Sequence, residues 1–249
     1  MSDFNRGYAR PAAPAADMSV DAGLRAFMLG VYNKMGLGLV LSGLIAWATA
    51  NVAPIRDMLF LTTADGRLAG YTILGWIVAF APLAILLFSG FSRREQNPRS
   101  ANILYWTIVS LIGASLGTIF LRYTGSSIAS TFFITAASFG ALSLFGYSTK
   151  KDLTGFGSFL IMGVIGLIIA SVVNIFLKSP ALYFAVNAVG VLIFAGLTAY
   201  DTQRLKMTYY DLQGNEAGLG VATSYGALSL YLDFINLFQF LLSFMGNRE

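Results

Sequence analysis

"SLYLDFINLFQFLL", residues 229–242, decides the fold. Wound on a helix, its Leu, Tyr, Phe and Ile side chains cover almost every direction, the pattern of a helix packed on several sides or immersed in lipid. The run belongs to an apolar stretch at 222–245, and six similar stretches lie at 29–51, 71–91, 103–121, 128–147, 156–177 and 181–203. Each is near the roughly 20 residues that a helix needs to cross a bilayer. The whole chain agrees: 56% of its 249 residues are hydrophobic and 11% charged, with mean hydropathy +0.69, which excludes an ordinary water-soluble domain.

An all-α membrane protein is therefore expected, with one seven-helix transmembrane domain over 23–249. Barrel strands are excluded because the segments are too long and lack two-residue alternation. Short polar turns such as "SRREQNPRS" and "STKKD" join the segments and leave no room for a soluble domain. Residues 1–22, with "ARPAAPAAD", read as a disordered cytoplasmic tail, since Pro, Asp and Ala interrupt what a cleavable signal would need.

Basic residues set the orientation. Counted on alternating sides of seven crossings, 11 fall with the N-terminus and 5 opposite. Lys and Arg concentrate on the cytoplasmic side, which places the N-terminus inside and the C-terminus outside. The net charge of +4 is then explained by anionic lipid, and nucleic acid is not needed as a partner.

Several chemistries lack their parts. With no cysteine and no histidine, disulfides, thiolate sites, histidine-bound metals and Ser-His catalysis are excluded. "GASLG", Gly113 to Gly117, has the G-x-S-x-G form of a nucleophile elbow but lies in a helical segment. It reads better as a G-x-x-x-G packing face, as does "GVIGLIIAS" with Gly163 and Gly166. Lys34, near the start of the first segment, reads as a lysine snorkelling to cytoplasmic headgroups.

Two carboxylates stand out. Asp233 lies about eleven residues, or 16 Å, into the last segment, and an aspartate at such depth costs about 2.5 to 3.5 kcal/mol unless it has a partner or a cavity. Ser229, Asp233, Asn236 and Ser243 follow helical spacing and form one polar stripe. Asp201, in "GLTAYDTQRLK" at 196–206, ends the sixth segment near the cytoplasmic boundary. A short loop joins these two segments, so antiparallel packing can bring Asp201 and Asp233 together. Two carboxyls at hydrogen-bonding distance in a dry site share one proton. Protonated, the pair ties two helices together; deprotonated, it repels itself and can attract a hard cation such as calcium through oxygen ligands.

"AYDTQRLK" at 199–206 and "SLYLDFINLFQFLL" at 229–242, supported by "FGYSTKKDLTGFGSFL" at 145–160, resemble the Bax inhibitor-1, or transmembrane BAX inhibitor motif, family in its bacterial branch. The resemblance implies seven helices with the last at the centre of a ring of six, and a pH-dependent calcium leak. It implies that Asp201 and Asp233 are the pH-sensing pair on the ion pathway, supported by Ser229 and Asn236, and weak calcium ligands. It also implies a latch onto Asp201 from an arginine near the cytoplasmic end of the second segment, where Arg93 and Arg94 both stand. No cofactor is expected; the lipid bilayer, protons and calcium as transported ion are.

The leading reading is thus a proton-gated cation leak and not an enzyme. An alternative is a non-catalytic regulator that binds an FtsH-type membrane protease or other membrane proteins, a partnership the resemblance also implies. A remote one is an intramembrane aspartyl protease, against which "YLD" stands where such enzymes carry G-x-G-D.

Overall fold

The computed structural model describes residues 16–64, 67–91 and 97–247. The described residues fold into α1 (Ala16–Asn51), α2 (Ala53–Leu59), β1 (Phe60–Thr62), β2 (Leu68–Tyr71), α3 (Ile73–Phe91), α4 (Pro98–Phe120), α5 (Gly125–Ser148), α6 (Thr154–Leu177), α7 (Pro180–Asp211) and α8 (Glu216–Met245). Six of these helices, α1 and α4 to α8, are long and apolar enough to cross a membrane. The protein is a multi-pass membrane helical bundle.

The expected segment at 71–91 is only partly matched. Its apolar part, Ile73–Ser89, falls short of the other six and contains Pro82. Just before it, β1 and β2 pair antiparallel, Phe60 opposite Tyr71, so the chain enters α3 from a hairpin. This small sheet contradicts the expectation of bare polar turns. Thr72 then turns the chain into α3, its hydroxyl accepting from the Gly75 amide at 3.0 Å. At the other end of the protein, α1 begins at Ala16, inside the stretch expected as tail; residues 1–15 lie outside the described residues.

Helix starts carry the side chains that local chemistry demands. Asn97 and Ser100 form a reciprocal capping box at α4, Ser179 caps α7 ahead of Pro180, and Asn215 caps α8 through the Gly218 amide at 2.8 Å. Gly214, at φ +82°, supplies the left-handed turn before that cap.

α8 is the most enclosed of the spans, with half of its apolar window buried against 11% for α6. It packs on α1, α4, α5 and α7. One apolar cluster joins Val31, Tyr105, Ile108 and Tyr231 across α1, α4 and α8; a second joins Leu160, Ile193, Leu197 and Leu237 across α6, α7 and α8. The G-x-x-x-G reading of Gly113 and Gly117 agrees with the packing, for a Cβ on Gly113 would lie 2.8 Å from the Ser42 Cα and one on Gly117 would strike the Thr49 hydroxyl. Those two glycines let α4 lie directly on α1. Gly166, by contrast, has open space around it and serves no such contact.

Candidate functional site

The polar residues of "YDTQRLK" point in different directions around α7, and each finds a different neighbour. Thr202, one residue past Asp201, gives its hydroxyl to the Thr198 carbonyl and lies 3.4 Å from the Tyr32 hydroxyl of α1. Gln203 clamps the α5–α6 turn, accepting from the Leu153 amide at 2.8 Å and donating to the Lys151 carbonyl at 2.7 Å. Lys206 donates to the Tyr147 carbonyl of α5 at 3.3 Å and sits over that tyrosine's ring. A helix whose polar residues cover every face must be surrounded, and α7 packs on α1, α5, α6 and α8.

Asp201 faces α8. Ser229 donates a short hydrogen bond to its Oδ2, and Arg204, one turn along α7, lies 3.4 Å from Oδ1 and 3.3 Å from the Ser229 hydroxyl. Four residues beyond Ser229, Asp233 stands on the same stripe of α8, near enough to Asp201 and Arg204 for the charge of each to act on it. Both aspartates are 5% exposed, whereas the Arg204 side chain is nearly half exposed. The site is therefore a buried dicarboxyl with a basic lid open to solvent. Asp233 Oδ2 is buried with no hydrogen-bond partner. Two carboxylates only accept, so a bond between them requires that one carry a proton.

Arg204 gives Asp201 a basic partner, and its (i, i+3) spacing from that acid is the signal the sequence carried. The expected latch residues, Arg93 and Arg94, lie outside the described residues. Ser229 joins the pair as the stripe predicts. Asn236 does not: its amide donates to the Leu232 carbonyl of its own helix at 2.8 Å, and it lines a separate polar crevice.

That crevice, of about 380 Å³, lies between α6, α7 and α8 and is lined by the carboxamides of Asn174, Asn187, Asn236 and Gln239. Through Tyr183, Gln239 and Ser243 it adjoins a cavity of about 620 Å³ that Arg67 and Arg122 flank. Asn236 is three residues, about 4.5 Å of rise, beyond Asp233. Among the described residues no three His, Cys, Asp or Glu side chains gather as a metal site would need. Asp201 and Asp233 alone do not make a resident calcium cage, whose ion takes 6–8 oxygens.

Lys34 has protein partners. Its ammonium donates to Asn102 Oδ1 at 2.6 Å and Ser224 Oγ at 2.7 Å, over the Tyr105 ring, so it also ties α1 to α4 and α8.

Comparison with known proteins places this geometry in a family. A relative in Caulobacter vibrioides is 69% identical over the full length of both chains. One in Rickettsia prowazekii is 50% identical over 92% of each. The inner membrane protein YbhL of Escherichia coli K12 is 43% identical over 95% of this chain and 98% of its own. The family model described as inhibitor of apoptosis-promoting Bax1 matches residues 24–249, and the chain belongs to that Bax inhibitor-1 family.

Proposed function

We propose that the protein is a passive, proton-gated cation leak of the bacterial inner membrane, with calcium as transported ion and the Asp201–Asp233 pair as its pH sensor. In this reading α3 completes seven crossings, the N-terminus is cytoplasmic, and α8 is the central helix on which gating acts. No catalytic step is assigned.

The observation that carries the proposal is the meeting of two buried carboxyls from adjacent helices beside one solvent-exposed guanidinium. Proton loss leaves two negative charges in a dry site, and their repulsion loosens the α7–α8 contact. Arg204 acts as a tethered cation on Asp201, so a passing calcium must displace it to reach the same oxygens. The amide-lined crevice on the far side of Asp233 supplies the other half of a route, because carboxamide and hydroxyl oxygens suit a hard cation. Arg67 and Arg122 at its mouth lower the local cation concentration, which suits a slow leak better than a fast channel.

The test is calcium flux into proteoliposomes across a pH series. Asp201→Asn and Asp233→Asn are each expected to abolish the pH dependence; a profile identical to wild type in both variants removes the proposal.

A further inference from the structure

α1 and α5 form no packed interface, although both lie against α7 and α8. The seam between them holds two cavities, one toward each end. One cavity, of about 500 Å³, takes α1 residues 25–32 and α5 residues 139–147; a second, of about 350 Å³, takes α1 residues 39–46 and α5 residues 125–133. The numbers rise on α1 as they fall on α5, as they must along one antiparallel groove. From Arg25 to Ala46 the groove spans about 32 Å at helical rise, the thickness of a bilayer's hydrocarbon core.

Its two ends differ in chemistry. The first cavity carries Arg25, the hydroxyl-bearing Tyr32 and Tyr147, and Ser143, whose Oγ is buried with no hydrogen-bond partner. Among the described residues no acidic side chain lines it, and Lys206 reaches its rim at Tyr147. The second cavity is apolar, walled by Phe132 and Phe133 of α5 and floored by Phe234 and Phe238 of α8. Gly43 and Gly140 border open space in the seam, for a Cβ at either would meet no atom within 4 Å.

We infer that the α1–α5 seam is a binding site for one anionic phospholipid, its phosphate held by Arg25 and the hydroxyls of Tyr32 and Tyr147, and its acyl chain lying over Phe234 and Phe238. A phosphate is an acceptor that suits the exposed guanidinium of Arg25 and the tyrosine hydroxyls that line the same cavity. The phenylalanine-walled cavity accepts a hydrocarbon chain, and the protein stands in a reservoir of such chains. The lipid also gains a line to the dicarboxyl: Tyr32 at the headgroup end touches Thr202, the neighbour of Asp201. This site stands whether or not the protein conducts ions.

The experiment is native mass spectrometry of the full chain released from nanodiscs that contain equal phosphatidylglycerol and phosphatidylcholine with the same acyl chains. The wild type is expected to retain one phospholipid, phosphatidylglycerol about fivefold over phosphatidylcholine, as one basic side chain against an anionic lipid allows. Arg25→Gln should erase the preference. Gly43→Phe and Gly140→Phe, which fill open space, should lower the retained lipid severalfold while leaving the thermal midpoint unchanged or higher. Equal retention of the two lipids by the wild type, an undiminished preference in Arg25→Gln, or full lipid occupancy in both folded glycine variants would each overturn the assignment. Should one glycine variant fail to fold, the other and the wild-type competition still decide.

Discussion

Asp201 shows how much one ion pair can be asked to do at a membrane surface. Its partner Arg204 is nearly half exposed, so solvent screens the attraction and the pair is worth less than a fully buried one. Removing the guanidinium nevertheless leaves the buried carboxyl its Ser229 donor but takes away the cation that offsets its charge. Arg204→Gln is expected to lower stability in detergent by about 1–2 kcal/mol, read by thermal unfolding, with much of that loss disappearing in an Asp201→Asn background. Strict additivity of the two changes would show the contact to be idle. The acids themselves were legible from depth and spacing alone, and so was Ser229, one helical turn from Asp233. Lys34 was not, because its partners Asn102 and Ser224 are 68 and 190 residues away and nothing local marks them.

At the scale of elements, helix starts follow local rules and helix contacts follow glycines. Asp152, just before α6, accepts from the Thr154 amide at 2.9 Å, and the hydroxyl and then the amide of Thr154 hold its carboxyl below the ordinary carboxylate value. A depressed carboxyl contributes stability that is complete above its unfolded value and is lost as pH falls through the folded one. Amide exchange at the first turn of α6 should therefore accelerate under acid conditions in the wild type, and the acid dependence should vanish in Asp152→Asn. An unchanged acid response in that variant places the effect elsewhere. Gly113 and Gly166 make a second contrast. Gly113→Val drives a side chain into the Ser42 backbone and should cost about 2–4 kcal/mol, whereas Gly166→Ala meets open space and should be neutral or stabilising by up to about 1 kcal/mol, both read from thermal midpoints. The sequence pattern treats these two glycines alike; only the neighbouring helix separates them.

At the scale of the whole molecule, the proposed leak requires the polar crevice between α6, α7 and α8 to open on the side opposite Asp201. Because the chain has no cysteine, single cysteines can be placed on it without background. With the proposed orientation, an impermeant thiol reagent should label Gln239→Cys and Ser243→Cys from the outside of intact cells, and Thr208→Cys only after the membrane is opened. Labelling on the opposite sides would reverse the topology, and failure to label Gln239→Cys and Ser243→Cys from either side would close the crevice as a route. The layered arrangement explains why α8 could be singled out in sequence: a helix that meets α1, α4, α5 and α7 needs apolar residues on nearly all faces, which "SLYLDFINLFQFLL" has.

What the sequence by itself determined is whatever depends on a window of about 20 residues: that the chain crosses membranes as helices, and that Asp201 and Asp233 lie where a charge is expensive. Hydropathy and helical periodicity are local quantities, and lipid enforces them strongly. Tertiary structure decided the rest. It put Arg204 and Ser229 on Asp201, drew residues 60–62 and 68–71 into a hairpin ahead of α3, turned Asn236 toward a separate crevice, and left α1 and α5 apart. Each of these depends on helix rotation and on the shapes of side chains distant in sequence, for which adjacent residues carry no information.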